Sequence, residues 1–156
     1  LTSSAFENYR EARADEAEQI AALRYAQAVE AEGRDLGLET CLRGVRAVFA
    51  DPAKGRWYVA LLGRQVAVSL LVAPEWSDWR NGWLWRVSDV HVAPEHRGGT
   101  LLSGLFLYLQ TIAMVQPEVL GIRFSVRDED AGVKEILAKI GLASSRRDQV
   151  EWVKTV

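Results

Sequence analysis

The segment Val90-His91-Val92-Ala93-Pro94-Glu95-His96-Arg97-Gly98-Gly99-Thr100-Leu101-Leu102-Ser103 leaves the chain few options. An apolar run ends at Val92, Pro94 breaks it, and a pair of glycines precedes an apolar stripe at helical spacing, from Leu101 through Leu105, Phe106 and Leu109 to Ile112. A strand, a short turn and a helix fit this order. The first amides of such a helix have no internal partners and stand at the positive end of its dipole. Gly98 and Gly99 let the backbone come close to an anion, and Arg97 adds forked donors of fixed charge. The turn therefore reads either as an anion site or as an ordinary capped glycine loop. It is not a Walker loop, because no Gly-Lys-Ser/Thr ending follows, and no dinucleotide fingerprint is present.

The flanking sequence predicts the rest of the layout. Tyr9–Arg13 suits a short first strand. Asp15 and Glu18 have the spacing of a capping box for an Ala-rich helix that runs to Glu32 and ends at Gly33. Leu38, Cys41, Leu42, Val45, Val48 and Phe49 form one stripe of a second helix, stopped by Asp51-Pro52. Trp57–Leu62 and Val66–Val72 read as a hairpin around Gly63, and Glu75–Gly82 as a turn region closed by Asn81-Gly82. Trp83–Val92 is the fourth strand, Val119–Val126 the fifth, and Val133–Ile140 a last helix ended by Gly141. Leu142–Val153 is expected to return as one or two strands. This order predicts an α/β (mixed α+β) fold, with a central mixed, mostly antiparallel sheet flanked by about four helices.

Composition narrows the function classes. The 156 residues suit one domain, spanning 1–156. A net charge of -2 does not imply a nucleic-acid partner. No apolar run approaches the ~20 residues of a membrane span, and the first residues lack the basic-then-apolar pattern of a secretory leader. The lone Cys41 rules out an internal disulfide and fits a reducing compartment, so a cytoplasmic location is expected. With two His and one Cys at unrelated places, no metal site is expected.

Val92, Pro94, Arg97 and Gly98 match the pattern Val-x-Pro-x-x-Arg-Gly-x-Gly-x-Gly/Ala, which resembles motif A of the GNAT superfamily of acyl-CoA N-acyltransferases. Thr100 and Leu102 stand where that pattern has its later glycines. The run Asp130-Ala131-Gly132-Val133 through Leu137 to Gly141-Leu142 is similar to the family's last helix, with Asp130 in place of the usual Asn and Leu137 in place of a Tyr. The Trp-rich stretch before motif A resembles a bacterial subgroup, and the similarity covers about residues 9–153.

The resemblance implies a sheet splayed between the fourth and fifth strands, with acetyl-CoA (coenzyme A) as co-substrate in the gap. It implies that the amides of Arg97, Gly98, Gly99, Thr100, Leu101, Leu102 and Ser103 hold the pyrophosphate, with Asp130 nearby. The backbone of Val90–Val92 would pair with the pantetheine arm, and the Val92 amide would polarise the thioester carbonyl. The implied activity is N-acetyl transfer to an amine of a small molecule or peptide. Homodimers are common among relatives.

Residue chemistry supplies the other candidates. Strand alternation puts Trp83, Trp85, Val87, Asp89 and His91 on one face, and Ser88, Val90 and Val92 on the other. Asp89 is either the base that accepts the amine proton or a carboxylate paired locally. His91 titrates near neutrality, yet a strand histidine beside aromatics equally suits a structural role. Trp76, Trp79 and Trp83 either line an acceptor pocket or pack the hairpin onto the core. Residues 1–40 hold nine Asp and Glu against four Arg, which fits either a basic acceptor or a solvated helix face. Without Tyr at Leu137, no general acid is evident, and a non-catalytic acyl-CoA-binding module is the rival reading.

Overall fold

The computed structural model of the protein describes residues 8–33, 37–126 and 131–142. Strand β1 (Tyr9–Glu11) leads into helices α1 (Ala17–Glu32) and α2 (Leu38–Ala50). Strands β2 (Arg56–Leu62), β3 (Gln65–Ser77) and β4 (Gly82–Val92) follow, then α3 (Leu101–Met114), β5 (Val119–Phe124) and α4 (Ala131–Lys139). The strands form one sheet in chain order, antiparallel from β1 to β4 and parallel between β4 and β5. A parallel pair cannot be joined by a hairpin, and α3 supplies the crossover it needs. The mixed, mostly antiparallel sheet expected from the sequence is the one found. The strands expected beyond Leu142 lie outside the described residues.

Each face of the sheet has its own core. On one face Tyr58, Ala60, Val68, Leu70, Val72 and Val87 pack against Leu102, Leu105, Phe106 and Leu109 of α3. On the other, Trp57, Val59, Leu61 and Val66 pack against Ala17, Ile20 and Ala21 of α1 and Val45 of α2. Each fully buried side chain of this size contributes about 1.5–3 kcal/mol, so both layers are needed. The buried Trp57 indole donates to the Val45 carbonyl at 3.4 Å, which satisfies its one polar group.

Two local expectations are corrected. The start of α1 is closed by Glu16, whose carboxylate accepts from the Arg13 amide at 2.8 Å and is gripped by Arg10. Asp15 and Glu18 do not make the box, because a short helical turn over Ala14–Glu16 precedes α1. Strand β3 runs on through Pro74 to Ser77, where the sequence suggested a turn region. Beyond Val72 it pairs only with β4, so the missing proline N–H faces an edge and removes no ladder bond. Asn81 then takes a φ of 51° in the tight return to β4, as the Asn81-Gly82 pair predicted.

Gly55, just before β2, has φ 130° and ψ -172°, a region open essentially to glycine alone. A Cβ there would stand 2.7 Å from the Val72 carbonyl oxygen. Gly55→Ala is expected to lower stability by about 2–4 kcal/mol in urea unfolding, without changing the slope.

Candidate functional site

The site begins with an irregularity in β4. Ser69 lies opposite His91, yet Leu71 lies opposite Ser88, so β4 carries one extra residue there. Asp89 sits in this β-bulge with φ 51°, a left-handed conformation that Asp tolerates better than most residues.

The bulge overturns the predicted alternation. Trp85, Val87, Val90 and Val92 all side with α3. Asp89 and His91 face α1 instead: Arg24 lies 3.4 Å from the Asp89 carboxylate, and His91 Nδ1 bonds Gln27 at 3.0 Å. His91 is buried under α1. The sequence does carry a sign of the inserted residue, since the apolar alternation Trp83, Trp85, Val87 resumes one residue late at Val90 and Val92, but nothing in it linked Arg24 or Gln27 to this strand.

Past the bulge the sheet opens. The β4–β5 ladder runs from Trp83 opposite Val119 to Val87 opposite Phe124, and its last bond joins the Ser125 amide to the Val87 carbonyl at 3.0 Å. Among the described residues no strand pairs with Ser88–Val92 on that side. The Ala93 amide donates to the Ala67 carbonyl at 2.8 Å, so residue 93 directs its backbone toward β3. Alternation along the ladder turns the N–H and C=O of Val92 to the open side. Arg97 Nε approaches that carbonyl at 3.4 Å, which leaves the amide facing the gap.

The gap leads into the glycine turn. Gly98 has φ 78°, and no atom lies within 4 Å of where its Cβ would be. The first internal bond of α3 runs from the Gly104 amide to the Thr100 carbonyl at 2.9 Å, so the amides of Leu101, Leu102 and Ser103 stand at the open helix end. Of the side chains there, Leu102 is buried in the core and Ser103 donates to the Thr100 carbonyl. Any anion at this turn therefore meets the backbone of these two residues. The Gly99 amide bonds weakly to the His96 carbonyl at 3.3 Å.

Arg97 is arranged differently from the sequence expectation. Its fork donates to both oxygens of Glu30, on α1, at 3.1 and 2.9 Å. The hydrogen bond and charge of Arg97 hold the Glu30 carboxyl below its usual range. The guanidinium read as an anion ligand already holds an anion from the chain itself.

Other candidates fall elsewhere. Trp76 and Trp83 stack edge to face at 5.1 Å and 78° on the face that Trp85 shares, and Trp79 is 90% exposed at the hairpin tip. Trp83 is six residues from Asp89, about 20 Å along the strand and on the opposite face, so the structure does not bring the tryptophans and Asp89 together. Asp130 lies outside the described residues. Leu137 is buried in the α3-side core. Cys41 packs beside α1, where burial pushes its thiol up. Much of the acidic N-terminal segment is engaged in ion pairs: Glu11 with Arg56, Glu16 with Arg10, Glu18 with Arg46 and Glu30 with Arg97. Among the described residues no helix is long and apolar enough to cross a membrane.

No protein-family model and no curated protein matches the chain. Solved structures do. A possible acetyltransferase from Clostridium difficile 630 is 29% identical, with a TM-score of 0.81 over 95% of this chain and 97% of that one. A predicted acetyltransferase with acetyl-CoA from Clostridium acetobutylicum is 17% identical, with a TM-score of 0.67 over 96% and 95%. The chain has the GNAT superfamily fold. A transcriptional regulator from Bacillus halodurans C-125, 15% identical with a TM-score of 0.78 over 93% and 98%, has a similar fold. Likenesses at such identity speak for the fold alone, and the function of this GNAT-fold chain rests on its site.

The bulge gives a stability signature. Asp89→Val, a β-branched residue at positive φ, is expected to cost about 2–3 kcal/mol, whereas Asp89→Gly stays within about 1 kcal/mol. Urea unfolding of both variants checks this; equal losses would contradict the assigned backbone. Cys41, with its raised thiol pKa, is expected to react with a disulfide reagent at pH 7 much more slowly than free cysteine.

Proposed function

We propose that the chain is an N-acetyltransferase that takes its acyl group from acetyl-CoA. The observation that supports this reading best is the open edge of β4, whose outward Val92 amide leads directly into the Gly98–Ser103 turn. A pantetheine arm requires a backbone edge to bond, and a pyrophosphate requires unpaired amides at a helix start; both occur here in continuity. In this reading Val90 and Val92 bond the arm, and the Gly98–Ser103 backbone takes the pyrophosphate.

The chemistry is a direct transfer. The amine nitrogen bonds to the thioester carbonyl carbon, the C–S bond breaks, the proton lost by the amine passes to a carboxylate directly or through water, and CoA leaves as the thiolate. An amide facing the carbonyl stabilises the oxyanion. Asp89, one-third exposed where the strands part, is the carboxylate placed to accept the proton. His91 positions β4 under α1 through Gln27 rather than reaching the gap. Leu137 donates no proton, and a CoA thiolate leaves without one.

That same absence favours a second reading, an acyl-CoA-binding module without turnover. Calorimetric titration with acetyl-CoA and a free-thiol release assay separate the two. Binding with no thiol release from any amine supports the module, and no binding at millimolar ligand sinks both.

Glu30→Gln is expected to remove the carboxylate that competes for the Arg97 fork and tighten acetyl-CoA binding about threefold, whereas Arg97→Gln weakens it about tenfold. Asp89→Asn is expected to lower turnover at least tenfold while sparing acetyl-CoA affinity. Turnover unchanged across pH removes Asp89 from the mechanism.

A further inference from the structure

The sheet face turned toward α1 carries a charge cluster that the proposed mechanism does not use. Arg86 on β4 and Arg123 on β5 are direct cross-strand neighbours, one pair before the strands part after Val87 and Phe124. Parallel neighbours project to the same face. That face is opposite α3, because Trp85, Val87, Ile122 and Phe124 all pack toward α3. Glu75 on β3 reaches both arginines, at 3.5 Å to Arg86 Nε and by a closer contact to Arg123 Nη1. Gly121, opposite Leu84 in the next row, lets the buried Leu84 side chain pack over it beside the cluster. Both arginine side chains remain 42% exposed, and Glu75 29%.

Arg24 of α1 pairs with Asp89 on the same side of the sheet. Across these two clusters three guanidiniums stand against two carboxylates, Glu75 and Asp89. A single carboxylate between two guanidiniums leaves several of their donors unused, since each fork can bind an anion with two nitrogens. Arg86 is three residues from Asp89, about 10 Å along the strand, a distance that an extended arginine side chain and a small amino acid together can bridge.

We infer that the acceptor is a small amine that also carries a carboxylate, held by Arg86 and Arg123, with Glu75 as the resident anion it competes with. This inference rests on the acetyltransferase reading, because the amine is placed by the gap in which the thioester would lie. It also differs from the basic acceptor that the acidic N-terminal segment fits: four of its nine carboxylates, Glu11, Glu16, Glu18 and Glu30, are engaged in ion pairs, and three arginines stand beside the gap.

The test is thiol release from acetyl-CoA with glycine, β-alanine and glutamate, each compared with the amine lacking its α- or terminal carboxylate. Calorimetric titration of acetyl-CoA is run on the same protein. Carboxylate-bearing amines are expected to exceed their partners at least tenfold in kcat/KM. Arg86→Met and Arg123→Met are expected to raise KM for them about tenfold to a hundredfold, the range of one charged hydrogen bond, and to leave the amines without a carboxylate unchanged. Glu75→Gln moves the other way, lowering KM about threefold for the carboxylate-bearing amines only. A purely structural cluster does not produce opposite shifts, and Glu75→Gln keeps the test open if an arginine variant fails to fold. Equal use of both amine classes, parallel losses on both in the variants, or acetyl-CoA binding with no turnover of any carboxylate-bearing amine overturns the inference while the CoA reading stands. Absence of acetyl-CoA binding overturns both.

Discussion

The extra residue at Asp89 is the constraint on which the site depends. It changes the phase of β4 between Ser88 and His91, so one strand serves two faces with two different chemistries. Before the bulge, Trp85 and Val87 belong to the α3 core; after it, Val90 and Val92 return to that core while Asp89 and His91 turn to α1. The same irregularity comes just where β5 stops pairing, and the outward amide of Val92 follows from the register it sets. A regular strand would keep Asp89 on the α3 side, away from Arg24.

Much of this architecture was legible in the sequence, because it is written in local patterns. The helical stripes from Leu38 to Phe49 and from Leu101 to Ile112, the glycine stop at Gly33 and the Asn81-Gly82 return each depend on residues close in the chain. The parts that were not legible depend on partners far apart. Glu30 beside Arg97, Gln27 beside His91 and Glu75 between Arg86 and Arg123 are brought together only by the packing of α1 over β4 and by the order of the strands. The bulge left only a one-residue slip, where the alternation Trp83, Trp85, Val87 resumes at Val90, and the strict alternation assumed for the strand passed over it.

The tryptophans show how a local pattern can mislead about function. Trp76, Trp79 and Trp83 cluster in sequence because they belong to one hairpin, and the hairpin holds Trp83 about 20 Å along the strand from Asp89. Arginine–carboxylate pairs instead surround it, at Arg24–Asp89, Arg86 and Arg123 with Glu75, and Arg97–Glu30. These pairs are partly exposed, so each contributes little to stability. In the proposed function they hold cations that would exchange an internal carboxylate for an external anion.

In the proposed function, the open edge of β4 and the turn after it form one continuous slot for acetyl-CoA. Amide hydrogen exchange followed residue by residue, with and without acetyl-CoA, tests it most directly. The account predicts added protection at Val90, Val92 and Gly98–Ser103, with little change at the Trp76–Trp83 hairpin. Protection confined to other segments, or binding that leaves those amides unchanged, would contradict it.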